Sequence, residues 1–172
     1  MTSAELLTDC FGRVRETVSN VLAGLSASQL AFRPADEANS IGWLVWHLSR
    51  IQDDHVASAF DRAQVWTASG WQERFALPFD AADTGYSHSA DQVAAVRVSG
   101  PELLADYHDA VHAQTMQCLA GLGEDDLARV VDRRWDPPVT LGVRLVSVVS
   151  DDLQHVGQAA YVRGLAERTG TD

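Results

Sequence analysis

The stretch Thr140–Arg163, TLGVRLVSVVSDDLQHVGQAAYVR, decides the fold of this chain. Its apolar residues recur at helical spacing, so it predicts one long helix that is buried over much of its circumference. Asp151 and His155 are four residues apart, and residues at this spacing are neighbours on one helix surface. The apolar positions that flank the pair are Leu145, Val146, Val148, Val149, Val156 and Ala160.

A second stretch, Ser40–Ser58, SIGWLVWHLSRIQDDHVAS, resembles the first and carries His47 among apolar neighbours. Ser40 suits the N-cap of a helix. Polar side chains that face the interior of a bundle need partners. Imidazole and carboxylate groups together suit zinc, nickel or iron. We therefore interpret His47, Asp151 and His155 as the ligands of one divalent metal between two paired helices.

The sequence alone leaves other interpretations of these residues open. His47 could be a hydrogen-bonded core histidine, with Asp151 simply bonded to His155. Asp152 competes with Asp151 as a ligand, although it lies on a different azimuth. His55, two turns beyond His47, is the next candidate ligand. The remaining histidines, His88, His108 and His112, are expected at the surface. His108 and His112 also have the i, i+4 spacing.

The rest of the chain predicts a single all-α domain over residues 1–172, a four-helix bundle without strands. Residues 64–88 have no clean period and are expected to form a long loop that bears aromatic residues. The principal helices are expected at 3–25, 40–60, 101–120 and 140–167, with a short extra helix at 89–97.

An internal repeat is one further interpretation. Ser40–His47 aligns with Thr140–Ser147, and the connector Leu25–Leu30 before the first stretch resembles the connector Leu122–Leu127 before the second. This correspondence suggests two helical hairpins related by a pseudo-twofold axis.

The composition excludes some classes of partner. The formal charge is −11, which argues against binding to nucleic acid or to an anionic membrane. No apolar run approaches the length of a membrane span. The N-terminus lacks the apolar core of a signal peptide, so a cytoplasmic protein is expected. Cys10 and Cys118 are expected to be buried free thiols.

Two motifs resemble a known family. SIGWLVWH, ending at His47, matches Ser/Thr-x-Gly-x-x-x-x-His, and DLQHVGQ matches the end of His-x-x-x-His-x-Gly-Gln. Both patterns resemble those of the DinB-like metal-dependent four-helix bundles. In this chain, Asp151 stands at the position where that family usually has a histidine. WLVWHLSRIQDDH, VWTASGW and DRRWDPPVTLG resemble an actinobacterial branch associated with mycothiol-dependent S-transfer.

The resemblance implies an activity. A divalent metal, zinc first and nickel second, would be held by His47, Asp151 and His155. The chain would transfer a low-molecular-weight thiol, mycothiol, to an electrophilic small molecule in a detoxification or stress role, and would form a homodimer. The alternatives are a hydrolase that uses metal-bound water and a non-enzymatic metal-binding stress protein.

The resemblance also implies roles for residues around the metal. Arg50 would contact an anionic part of the thiol, unless it pairs with a neighbouring aspartate. Gln158 would support the metal ligands, and Gly157 would permit close helix packing. Three tryptophans would form walls of the pocket, or else pack in the core or a dimer interface: Trp66, Trp71 and Trp135.

Overall fold

The computed structural model describes residues 1–170 and shows a bundle of four long helices. The first and second long helices each pack against the third and the fourth. The long helices are α1 (Ser3–Leu22), α3 (Ile41–Ala59), α7 (Pro101–Leu119) and α8 (Leu141–Thr169). The short ones are α2 (Ala27–Leu30), α4 (Val65–Ala68), α5 (Trp71–Phe75), α6 (Ala90–Ala95) and a 3₁₀ turn (Glu124–Ala128). The predicted all-α bundle, with a long loop and a short helix between its second and third long helices, is confirmed.

The ends of the two site-bearing helices follow from their capping residues. The side chain of Ser40 accepts a hydrogen bond from the backbone N–H of Trp43, and Thr140 accepts one from Val143. Such side-chain acceptors satisfy N–H groups that the first helical turn leaves unpaired. The helix α7 begins differently, because the residue before Pro101 is Gly100, which has no side chain to accept such a bond.

A small β-hairpin corrects the prediction that the chain has no strand. Strand β1 (Val130–Asp132) pairs in antiparallel register with β2 (Val139–Thr140), directly before α8. Strands of three and two residues are too short to show an alternating pattern in the sequence. The backbone N–H of Leu141 also donates to the carbonyl of Arg129 at 2.8 Å, which fixes the hairpin to the start of α8.

Two apolar clusters fill the bundle, and buried polar side chains lie between them along the helices. Gln52 of α3 donates to Thr115 of α7 at 2.8 Å, and Asp152 of α8 is fully buried. One cluster includes Val14, Leu44, Leu104 and Val156, and the other includes Phe11, Val56, Leu119 and Leu145. The core therefore contains a polar layer that helical periodicity alone does not reveal.

The same contact occurs at the start of both site-bearing helices. A Cβ added to Gly42 would lie 3.2 Å from the carbonyl oxygen of Leu30, and one added to Gly142 would lie 3.4 Å from that of Leu127. These positions correspond in the alignment of the two halves of the chain. The contact therefore supports the interpretation of two related helical hairpins.

Two smaller expectations concern the thiols and membranes. Both cysteines are free; Cys118 is buried as expected, whereas Cys10 is half-buried. Within residues 1–170, no helix combines the length and apolar character needed to cross a membrane.

Candidate metal centre

The helices α3 and α8 bring His47, Asp151 and His155 together. One ligand atom from each of these side chains lies within 4.8 Å of the other two. The two helices run antiparallel, because Arg129, which is bonded to the first residue of α8, also donates to the carbonyl of Ala59 at the end of α3. The two stretches that the sequence singled out therefore meet at one point of the bundle.

The imidazole of His47 is held in one orientation from two sides. Its Nδ1 bonds to the carbonyl oxygen of Thr84, so this nitrogen carries the proton and Nε2 keeps its lone pair. The ring stacks on Trp43 with centroids 4.5 Å apart. Burial lowers the pKa of His47. The neutral imidazole with a free Nε2 is the form that binds a metal.

The imidazole of His155 has equivalent support from its own helix. Its Nδ1 lies 3.1 Å from Oε1 of Gln158, so it donates there and directs Nε2 towards Asp151, 3.6 Å away. The hydrogen bond with Asp151 raises the pKa of His155. Gln158 thus occupies the supporting position that the family resemblance implied.

The donor set fits a divalent cation. Oδ2 of Asp151 is buried and has no hydrogen-bond partner among the described residues, although buried polar atoms normally have one. Two imidazoles and one carboxylate are a common ligand set for catalytic zinc, which keeps a further position open. The side chains of His155 and Asp151 are 19% and 32% exposed, so a small molecule can approach the centre from solvent.

The loop before α6 closes one side of the centre, and the sequence analysis did not identify this. Gly85 has a φ of +89°, and a Cβ there would lie 2.8 Å from Nδ1 of His47 and 3.0 Å from the ring of Trp46. Glycine is therefore required both for its backbone conformation and for the close approach. In the sequence of this loop, only the presence of a glycine at position 85 pointed to this contact.

Arg50 anchors this loop, which differs from the cofactor contact expected from the sequence. Its guanidinium is fully buried and donates to the carbonyls of Ala81 and Asp83, each at 3.2 Å. It also bonds to the side chain of Gln64 at 2.9 Å and lies 3.7 Å from the buried carboxylate of Asp53. With its donors occupied inside the protein, Arg50 positions the loop that orients His47 and is not placed to contact a thiol.

His88 belongs to the same arrangement, whereas the sequence placed it at the surface. Its side chain is only 2% exposed. Its Nδ1 accepts from Nε1 of Trp43 at 3.1 Å, and its Nε2 donates to Asp83 at 3.0 Å. Because Trp43 stacks on His47, this chain of contacts fixes the plane of the metal-facing imidazole.

The other histidines and Asp152 lie outside the cluster. His55 pairs with Asp54 at 3.3 Å. His108 was expected at the surface but is buried, and its Nδ1 bonds to Ser49 at 3.0 Å. Asp152 is fully buried, and its side chain is not part of the group of ligand atoms formed by His47, Asp151 and His155. Among residues 1–170, one group of three metal-ligating side chains comes together, and it consists of His47, Asp151 and His155.

Of the two interpretations of the tryptophans, core packing holds for Trp66 and Trp71, and the packing role expected for Gly157 is wrong. Trp66 and Trp71 are buried in the core against Tyr107. Trp135 is 65% exposed on the β1–β2 hairpin. A Cβ added to Gly157 would meet no atom within 4 Å, so close packing does not require this glycine.

Comparison with known proteins gives a family and a structural relative. A family model described as mycothiol S-transferase matches residues 6–167. The crystal structure of a conserved protein from Enterococcus faecalis superposes with a TM-score of 0.88 at 33% sequence identity. That match covers 95% of this chain and 96% of the other. Among curated proteins there is no match.

Proposed function

Because the chain belongs to the mycothiol S-transferase family, we propose that it is a metal-dependent enzyme that transfers mycothiol to an electrophilic small molecule. The observation that carries the proposal is the convergence of His47, Asp151 and His155 within 4.8 Å, with the last two open to solvent. The proposed metal is zinc, with nickel as the alternative. The proposed role is detoxification or response to stress.

The chain's own residues prepare the centre for this chemistry. Thr84 and Gln158 accept from the Nδ1 atoms of the two histidines, so both Nε2 atoms are presented to a metal. When bound there, a divalent metal would lower the pKa of a coordinated thiol and so make its thiolate available at neutral pH. The exposed side, where Asp151 and His155 lie, admits the electrophile.

The carboxylate of Asp151 has a second proposed effect. It contributes one negative charge, whereas a histidine at this position, as is usual in DinB-like proteins, would contribute none. With two neutral imidazoles, the site then carries a net charge of about +1 on a divalent ion. This charge is smaller than that of a three-histidine site, so we propose that Asp151 would weaken the acidification of a thiol coordinated to the metal.

Conjugation of mycothiol to monochlorobimane tests the proposal. The sulfur forms a C–S bond, chloride leaves, and the thiol proton passes to solvent, so fluorescence reports each turnover. We expect zinc- or nickel-dependent turnover in the wild type, loss in His155→Ala, and retention in the matched variant His55→Ala. Metal-dependent hydrolysis of small esters or amides without thiol would instead favour a hydrolase. Metal binding without either activity would favour a non-enzymatic metal-binding protein.

We also propose a homodimer in the cytoplasm. Four large apolar side chains on the outer side of α8 are exposed, and apolar side chains on one helix face favour association: Val143, Val146, Leu153 and Tyr161. A cytoplasmic location agrees with two free cysteines and a thiol co-substrate. Light scattering that shows a monomer at micromolar concentration would contradict the dimer.

A further inference from the structure

A second pocket lies between α8 and the connector that joins α2 to α3. Its volume is about 390 Å³, which is within the range of pockets that bind small molecules. We call it the connector pocket. Five of the residues that line it are apolar: Pro34, Ala38, Leu44, Tyr161 and Val162.

The connector pocket begins one helical turn from the metal centre. Leu44 precedes His47 by three residues on α3, and Gln158 follows His155 by three residues on α8. Because the two helices are antiparallel, both steps lead in the same direction along the bundle, by about 5 Å. Gln158 belongs to both sites, since its Oε1 accepts from Nδ1 of His155 and the residue also lines the pocket. A ligand in the connector pocket therefore lies next to the metal centre.

The lining of the connector pocket suits an uncharged and largely apolar ligand. Its one charged residue is Glu37, which forms no ion pair with any other residue of 1–170. An anionic ligand would lose its hydration in an apolar lining and would also be repelled by this carboxylate. Mycothiol carries sugar rings with many hydroxyl groups, for which the pocket has few polar partners. The pocket therefore suits the electrophile better than the thiol.

Two side chains of α8 are available to hold such an electrophile. Tyr161 is 67% exposed, so its ring can pack against a flat apolar group. The Oε1 atom of Gln158 faces His155, whereas its Nε2 donates to no other residue of 1–170. This amide can donate to a carbonyl oxygen of a ligand. Because Gln158 is the lining residue that contacts a metal ligand, that carbonyl would lie near the reactive carbon.

We propose that the connector pocket binds the apolar body of the electrophile and directs its reactive carbon towards the metal centre. The proposal rests on the proposed function and names the substrate class. This class consists of uncharged, flat and largely apolar electrophiles that carry a carbonyl group. Monochlorobimane, with two fused rings and two carbonyl groups, is a member of the class.

An unreactive bimane tests binding without turnover. The bimane that has hydrogen in place of the chlorine of monochlorobimane is titrated into the zinc-loaded full-length chain and followed by NMR. We expect saturable binding in the wild type and about fivefold or greater weakening in Tyr161→Ala and in Ala38→Glu. The first variant loses the ring contact, and the second puts a charge into the apolar lining.

Each of these variants has a matched control that should bind the bimane as the wild type does. Ala35→Glu makes the same change at an exposed residue of the same connector that does not line the pocket. Val146→Ala shortens another exposed side chain of the α8 face proposed for dimerisation, which also includes Tyr161. A loss of binding that Tyr161→Ala shows and Val146→Ala does not is therefore an effect on the pocket.

Competition against the same bimane tests the preference for uncharged ligands. Benzamide should displace it at a concentration about fivefold or more below that of benzoate, because benzoate brings a carboxylate into the pocket beside Glu37. Glu37→Gln should reduce this difference by removing the repulsion. Equal displacement of the bimane by benzamide and benzoate would overturn the proposed substrate class.

The outcomes separate the inference from the proposed function. With mycothiol, both pocket variants should raise KM for monochlorobimane and leave unchanged the KM for iodoacetamide, which has no apolar body. Absence of saturable binding in the wild type, or equal binding in the pocket variants and their controls, overturns the inference. Turnover of monochlorobimane in that case leaves the proposed function standing. Binding that the pocket variants weaken, without turnover of any electrophile, supports the inference and refutes the proposed function.

Discussion

Replacing Gly85 with alanine tests whether the loop over the metal centre orients His47. The new Cβ would lie 2.8 Å from Nδ1 of His47 and 3.0 Å from the ring of Trp46, at a φ of +89°. The imidazole cannot simply move aside, because it is bonded to Thr84 and stacked on Trp43 at 4.5 Å. The loop must therefore shift away and take the carbonyl of Thr84 with it.

The expected magnitude has two parts. A positive φ for a residue with a Cβ costs roughly 1–2 kcal/mol of stability. Loss of the hydrogen bond that orients a histidine ligand weakens metal binding by about 10–100-fold. Gly85→Ala should show both effects. Gly24→Ala is the matched control: its φ is +73°, and an added Cβ meets nothing within 4 Å. It should lose stability by a similar amount and keep its metal affinity.

Two measurements check this prediction. Urea denaturation gives the free energy of unfolding, and competition with a fluorescent zinc chelator gives the metal Kd. The reasoning would be refuted if Gly85→Ala bound zinc as tightly as Gly24→Ala does, since the loop would then have no part in orienting His47.

Three further predictions concern other buried or supporting side chains. Arg50→Ala should lower the free energy of unfolding by about 3–5 kcal/mol, because it leaves a buried carboxylate without its cation, and urea denaturation measures the change. His108 is neutral when folded because burial lowers its pKa from 6.5 to about 4. The unfolded chain takes up a proton that the folded chain does not, so stability should fall as pH drops from about 6.5 to about 4, by about 3 kcal/mol from this residue. Denaturation of His108→Gln across this pH range should show a smaller fall, and an unchanged pH profile would contradict the assignment. Gln158→Ala should weaken zinc binding about tenfold by releasing Nδ1 of His155, whereas Gln154→Ala should not, because the side chain of Gln154 bonds to Ser150; equal zinc affinities would refute the supporting role.

Local sequence patterns account for the helices and for two of the three proposed metal ligands. The apolar period of α8 and the caps Ser40 and Thr140 are properties of short stretches, so they can be seen without the fold. The spacing of Asp151 and His155 follows from the same helix. The convergence of His47 on this pair depends on the packing of α3 against α8, which was inferred from the similarity of the two stretches and from the family resemblance.

The supporting residues could not be predicted in the same way. The contact between His47 and Thr84 joins residues 37 apart through a loop without period. The burial of Arg50 and His88 depends on that loop, because a single charged or polar residue in a helix or loop carries no sign of what will cover it. The hairpin at Val130–Thr140 is too short for an alternating pattern to reveal.

The most direct test of the metal centre is the metal content of purified protein after zinc loading and removal of excess ion. Mass spectrometry of the metal should give about one equivalent per chain in the wild type, as expected for one three-ligand site. The content should stay the same in His55→Ala and be lost in His155→Ala and Asp151→Ala. Full metal content in His155→Ala, or loss in His55→Ala, would contradict the assignment of His47, Asp151 and His155 as the ligands.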